Sequence, residues 1–103
     1  MTPVYLDHAA TTPPRPEVVA AMTDALSRGW GNPSSIHGPG RAARAILDDA
    51  RAEVAASLGA DAREIAFTSG GTEAINLAIK GAAWAGRATG ERIVTTGADH
   101  DAV

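Results

Sequence analysis

The sequence predicts an α/β fold built on a parallel sheet, on three observations. A β-prone stretch, Ile65-Ala66-Phe67-Thr68, is broken at once by Gly70-Gly71. A helical pattern then runs from Thr72 to about Ala85, with Ile75, Leu77, Ala78, Ile79 and Ala82 apolar. After a loop punctuated by Gly86 and Gly90 comes a second β-prone stretch, Arg92-Ile93-Val94-Thr95-Thr96. Strand, helix and strand in that order form a βαβ unit, whose strands are parallel and whose crossover is right-handed. A further helix is expected after Asp99.

The elements before this unit follow from local chemistry. Val4-Tyr5-Leu6 is β-prone and leads into the small, polar run Asp7 to Thr12. Pro13, Pro14 and Pro16 fix φ and disfavour helix in the residues before them, so residues 1–15 are expected to be extended. A first helix is predicted from Pro16 to Ser27. Proline suits its first turn, Glu17 suits its positive end, and Arg28-Gly29 stops it. Val18, Met22, Ala25 and Leu26 make its apolar stripe. Residues 29–40, Gly29-Trp30-Gly31-Asn32-Pro33-Ser34-Ser35-Ile36-His37-Gly38-Pro39-Gly40, hold four glycines and two prolines and are predicted to be a long loop anchored by Trp30 and Ile36. A second helix is predicted from Arg41 to Leu58, with Ala43, Leu47, Ala50, Val54 and Leu58 on one face and Gly59 as its stop. Arg44–Asp48 and Asp48–Arg51 are pairs at helical spacing. The chain is thus divided into an extended segment (1–15), a helical part with its loop (16–58) and the start of a larger sheet domain (64–103).

Composition narrows the function classes. The 103 residues carry a net charge of −3, one lysine and no cysteine. Disulfides and thiolate metal sites are therefore ruled out within these residues, and no metal site is expected. The acidic balance argues against nucleic acid as a partner. Arg41, Arg44 and Arg51 interleave with Asp48, Asp49 and Glu53 and form a solvated helix face. No apolar run approaches the ~18 residues of a membrane span, and Met1-Thr2-Pro3-Val4 has no basic leader character. A cytoplasmic location without membrane attachment is expected. Leu, Ile, Val and Phe number only 18, a thin core for a domain of this size, and the expectation is a part of a larger domain.

Two places carry candidate chemistry. In Thr68-Ser69-Gly70-Gly71-Thr72-Glu73 the glycines let a ligand approach the backbone, and the amides and dipole at the helix start favour an anion such as phosphate. The run is neither a Walker loop nor a full dinucleotide fingerprint, and a plain glycine connection capped by Ser69 or Thr72 is the alternative. His100 follows the second parallel strand, on the sheet edge where ligands bind in open α/β sheets, although a surface-loop histidine has the same sequence appearance. His8 and His37 lack metal-ligand spacing and are expected to make local hydrogen bonds. Lys80 lies within the body of the third helix, a poor place for a covalent catalyst.

Taken together, these residues resemble a known family. Tyr5-Leu6-Asp7-His8-Ala9-Ala10-Thr11-Thr12-Pro13, then Gly31-Asn32-Pro33-Ser34-Ser35 with His37 and Gly40, then Glu64 to Glu73 with Asn76-Leu77-Ala78-Ile79-Lys80-Gly81, then His100, stand in the order and spacing of the cysteine desulfurases of the class V aminotransferase family. The resemblance covers essentially the whole chain and implies the N-terminal portion of a fold type I pyridoxal-phosphate enzyme. It implies removal of sulfur from L-cysteine to give L-alanine and an enzyme persulfide, delivered to acceptors such as an iron–sulfur scaffold, by a homodimer. It assigns Gly71 and Thr72 to the cofactor phosphate, and His100 to stacking on the pyridine ring and to proton transfer. The Ala10-Thr11-Thr12 and Asn32-Pro33 segments resemble stretches near the active-site mouth and dimer interface. The Gly-Asn-Pro-Ser-Ser loop points to the housekeeping and nitrogen-fixation branch. The family's Schiff-base lysine, its aspartate partner of the pyridine nitrogen and its persulfide cysteine match nothing here, so these 103 residues alone are expected to be inactive. A non-catalytic fragment, or another lyase of the same fold such as a selenocysteine lyase, is the alternative.

Overall fold

The computed structural model describes residues 4–103. The first three residues of the predicted extended segment, including most of the stretch lacking leader character, lie outside the described residues. The element order is α1 (Pro16–Arg28), α2 (Gly38–Leu58), a 3-10 turn (Ala62–Glu64) and α3 (Gly71–Ala85). The chain divides into two compact units, one ending at Ile65 and the other running Ala66–Val103.

In the first unit, α1 starts where Pro16 supplies a preset φ, and Glu17 faces the positive helix end. Arg28 pairs with Asp24 in its last turn. α2 is the longest element. Its start lies inside the run predicted as loop: Gly38 is already helical, with Pro39 in the first turn and His37 as N-cap. Proline and glycine, which break helices internally, are tolerated at the first turn because amides there have no helical partner. Gly59 ends α2 in the left-handed conformation at φ 66°, where a side chain would be strained. The predicted pairs form, with Arg44 Nε 2.7 Å and Arg51 Nη1 3.1 Å from the Asp48 carboxylate.

The buried face of α2 differs from the predicted one. Gly40, Ala43 and Ala55 are buried, Leu47 and Arg51 are half-buried, and Ala50, Val54 and Leu58 are exposed. The face follows the ridge 43-47-51-55 because the 3-10 turn and Ile65 pack on that side. Arg51 lies along it and donates from Nε to the Ile65 carbonyl at 3.3 Å. The aliphatic stem of an arginine can occupy such a position while its head remains polar. The 3-10 turn has a capping box, in which Asp61 accepts from the Arg63 amide and Glu64 accepts from the Asp61 amide.

The loop before α2 is not anchored by Trp30 and Ile36, which are 74% and 89% exposed. It is held instead by backbone contact. A Cβ on Gly31 would lie 2.2 Å from the Pro39 carbonyl oxygen, and one on Gly40 would lie 2.4 Å from that of Ser35. Asn32 closes the turn between them, its carbonyl accepting from Ser35 N and its Oδ1 from Ser34 N.

In the second unit α3 begins at Gly71, one residue earlier than predicted. The predicted strands are absent: among the described residues no strand forms, and 65–68 and 92–96 carry no ladder. A strand's hydrogen bonds come from neighbouring strands, so β-prone residues without a paired neighbour cannot satisfy the pattern. The helix expected after Asp99 is a single hydrogen-bonded turn, closed by Val103 N donating to His100 O at 2.8 Å.

Ala43 and Ala55 are the only buried apolar side chains among the described residues. Val18, Met22 and Leu26 of the predicted α1 stripe are exposed, as are Leu77, Trp84, Ile93 and Val94.

Candidate functional site

The site is built on the start of α3. Gly70 is the N-cap in extended backbone, and no side chain caps this end. The amides of Gly71, Thr72 and Glu73 have no carbonyl partner inside the helix, whereas that of Ala74 already bonds Gly70 O at 3.0 Å. A Cβ built on Gly70 or Gly71 would meet nothing within 4 Å. The helix start thus presents unpaired donors to open space, with the dipole favouring an anion. Thr72 sits on the first turn and is exposed.

The turn before these amides is fixed by its own side chains. Glu73 folds back so that its carboxylate accepts from the Ser69 hydroxyl and the Ser69 amide, each at 2.6 Å. Those two bonds, the hydroxyl's first, hold the Glu73 carboxyl below the ordinary carboxylate range. Thr68 Oγ1 donates to Gly70 O at 3.2 Å.

His100 lies on the closing turn of the same unit. Its Nδ1 accepts from the Ala102 amide at 3.1 Å. The turn before it is fixed by Asp99, which accepts from the Thr96 amide at 2.7 Å and the Thr96 hydroxyl at 2.9 Å, and these bonds keep its carboxyl low. The tie between the two places is Asn76. Its Nδ2 donates to Thr72 O at 3.0 Å and to Ala102 O at 3.3 Å. Thr72 of the candidate anion turn and the segment carrying His100 therefore share one side-chain amide.

Sequence reasoning did not single out Asn76, Glu73 or Ser69 for these tasks. Asn76 did give a signal, as a lone amide in the apolar run Ala74-Ile75-Asn76-Leu77-Ala78-Ile79. His8 and His37 make local contacts. The ring of His8 stands edge-on to Tyr5 at 5.0 Å, and its Nδ1 is 3.3 Å from Thr12 Oγ1. His37 Nδ1 accepts from Gly40 N at 3.3 Å, capping α2. Lys80 is exposed within α3. A concavity lies at the far end of α3, lined by Ile79, Trp84, Arg87 and Ile93 among others. It offers no helix start, and the candidate chemistry lies elsewhere.

Residues 4–103 match the family described as aminotransferase class-V. The chain belongs to that family. It is 52% identical to the putative cysteine desulfurase IscS 1 of Bacillus subtilis (strain 168), over 100% of this chain and 27% of that protein. It is also 52% identical to a cysteine desulfurase IscS of Dictyoglomus turgidum, over 97% of this chain and 25% of that protein. For a cysteine desulfurase IscS of Methanosarcina thermophila the identity is 49%, over 97% of this chain and 25% of that protein. The chain therefore spans about a quarter of the length of these relatives. Within the class-V family, the described segment is an N-terminal region made of three helices and connecting turns. None of its helices is long and apolar enough to cross a membrane, among the described residues.

Proposed function

We propose that this chain forms part of a pyridoxal-phosphate-dependent cysteine desulfurase, taking sulfur from L-cysteine and leaving L-alanine. The observation that carries the reading is the open start of α3 tied through Asn76 to the turn bearing His100. Three unpaired amides and a neighbouring hydroxyl are a donor set suited to a phosphate dianion, so these residues fit the cofactor's phosphate. Gly71 and Thr72 would hold it, with the Ser69–Glu73 bonds keeping the turn in shape. When bound, the cofactor supplies an electron sink for bond changes at the amino acid's α-carbon. His100 contributes a flat ring for stacking and a ring nitrogen able to pass a proton. The identity of about 50% to proteins named cysteine desulfurase supports cysteine as the substrate. Transfer of the sulfur to acceptor proteins such as an iron–sulfur scaffold, a homodimeric assembly and a cytoplasmic location belong to the same proposal. So does the organisation of 64–103 as the start of a sheet domain, with 65–68 and 92–96 becoming parallel strands beside neighbours supplied by the complete fold.

The test uses the complete enzyme carrying this segment. His100→Phe keeps a flat ring but cannot move a proton, so cofactor affinity is retained while cysteine turnover falls. His100→Ala lowers both. Normal turnover in His100→Phe removes the proton-transfer role. An unchanged cofactor spectrum and affinity in His100→Ala removes the stacking role.

A further inference from the structure

We propose that Asn76 is the positioning residue for His100: it pins the imidazole-bearing turn to α3 and so holds the ring proton on Nε2. The functional consequence rests on the cofactor reading above; the positioning itself stands on geometry alone. Both partners of the Asn76 side chain, Thr72 O and Ala102 O, are carbonyls, which only accept. The group between them must therefore be the NH2, which settles the orientation of the amide. One of its hydrogens goes to the first turn of α3 and the other crosses 26 residues of sequence to the closing turn. The Asn76 side chain is part-buried in this bond, so losing it leaves the Ala102 carbonyl short of a partner where water replaces it poorly.

The closing turn converts that anchor into a ring orientation. Val103 N donates to His100 O at 2.8 Å, and Ala102 N donates to His100 Nδ1 at 3.1 Å. A nitrogen that accepts from an amide carries no proton, so the neutral ring bears its hydrogen on Nε2. Nε2 then carries the proton that can pass to a ligand, and His100 is exposed. Asn76 thus reaches the ring through Ala102 without touching it, and one amide sets both the place of the ring and which nitrogen does chemistry.

The first measurement needs no variant. Nitrogen NMR of the His100 ring in the cofactor-free complete enzyme is expected to show Nδ1 unprotonated in the neutral ring; a proton on Nδ1 overturns the proposal. Asn76→Leu keeps similar volume and removes both donors. It is expected to mix the two ring tautomers, to speed exchange of the Val103 amide about ten-fold, and to lower kcat for cysteine about ten-fold with KM nearly unchanged. An unmixed tautomer with unchanged Val103 exchange overturns the proposal. Should Asn76→Leu fail to fold, Asn76→Asp, which also lacks both donors, is read in the same way. If His100→Ala leaves the cofactor spectrum untouched while the tautomer result holds, the cofactor reading alone falls.

Discussion

Two helices of this chain begin in glycine-rich turns, and the turns are used in opposite ways. At α2 the glycines are consumed by packing: Gly31 and Gly40 allow backbone to touch backbone, and His37 caps the helix. At α3 the glycines touch nothing, no side chain caps the helix, and the amides of Gly71, Thr72 and Glu73 remain available. Composition does not separate these cases. The difference lies in what surrounds the missing Cβ: backbone atoms at 2.2–2.4 Å in one turn, open space in the other. A closed glycine turn supports a fold, and an open one leaves room for a ligand.

The largest expected effect breaks this comparison at its centre. Gly40→Ala places a Cβ against the Ser35 carbonyl and is expected to destabilise the loop and the start of α2 by about 2–3 kcal/mol. Gly71→Ala meets no atom and is expected to change stability by less than about 0.5 kcal/mol while lowering pyridoxal-phosphate affinity. Denaturant unfolding and equilibrium dialysis on the two variants check both halves. Similar stability losses would mean that the turns do not differ.

The next effect sharpens the comparison at the polar side chains. His37→Ala removes a cap and is expected to cost about 1 kcal/mol, read as faster amide exchange in the first turn of α2, without altering cofactor retention. Thr72→Val is expected to leave exchange in α3 nearly unchanged and to weaken cofactor retention about ten-fold. If the two variants exchange these phenotypes, the roles of the two helix starts are reversed.

The smallest effect is pH-dependent. The Glu73 carboxyl titrates below its ordinary range because Ser69 donates to it. Its contribution is therefore fully present above the ordinary carboxylate range and is lost as pH falls through the lowered folded-state value. The Ser69 amide resonance is expected to shift over that acid window and to lose this titration in Glu73→Gln. The turn before α2 has no such carboxylate, and its Ser34 and Ser35 amides are expected to show no matching titration.

The helices were legible because their signals are local: Pro16 at a start, Gly59 at a stop, ion pairs four residues apart. α2 begins three residues earlier than expected because Gly38-Pro39-Gly40 reads as a set of breakers, although the first turn of a helix tolerates all three. The β-prone runs form no ladder among the described residues for the opposite reason, since Ile93 and Val94 state a preference that only a neighbouring strand can satisfy. Periodicity put Ala50, Val54 and Leu58 on the inner face of α2 after Leu47, whereas Arg51 and Ala55 lie there. The choice between Ala50 and Arg51 was made by Ile65, outside the helix. At the site, the Gly-Gly break alone marked the helix start beside Gly71 and Thr72, while their assignment to a phosphate came from the resemblance. Asn76 could not be placed, because its partner Ala102 lies beyond a loop and an unpaired stretch.

The two tryptophans fall one to each unit, Trp30 before α2 and Trp84 near the end of α3, 74% and 72% exposed. Indole emission moves to shorter wavelength when water leaves the ring. Each unit therefore carries its own optical gauge, and replacing either tryptophan with phenylalanine isolates the other. With no native thiol in these residues, a cysteine introduced beside either indole would also be a unique attachment point for a quencher. Covering of the apolar surface at Trp84 and Ile93, and of that at Trp30, could then be timed separately, by colour.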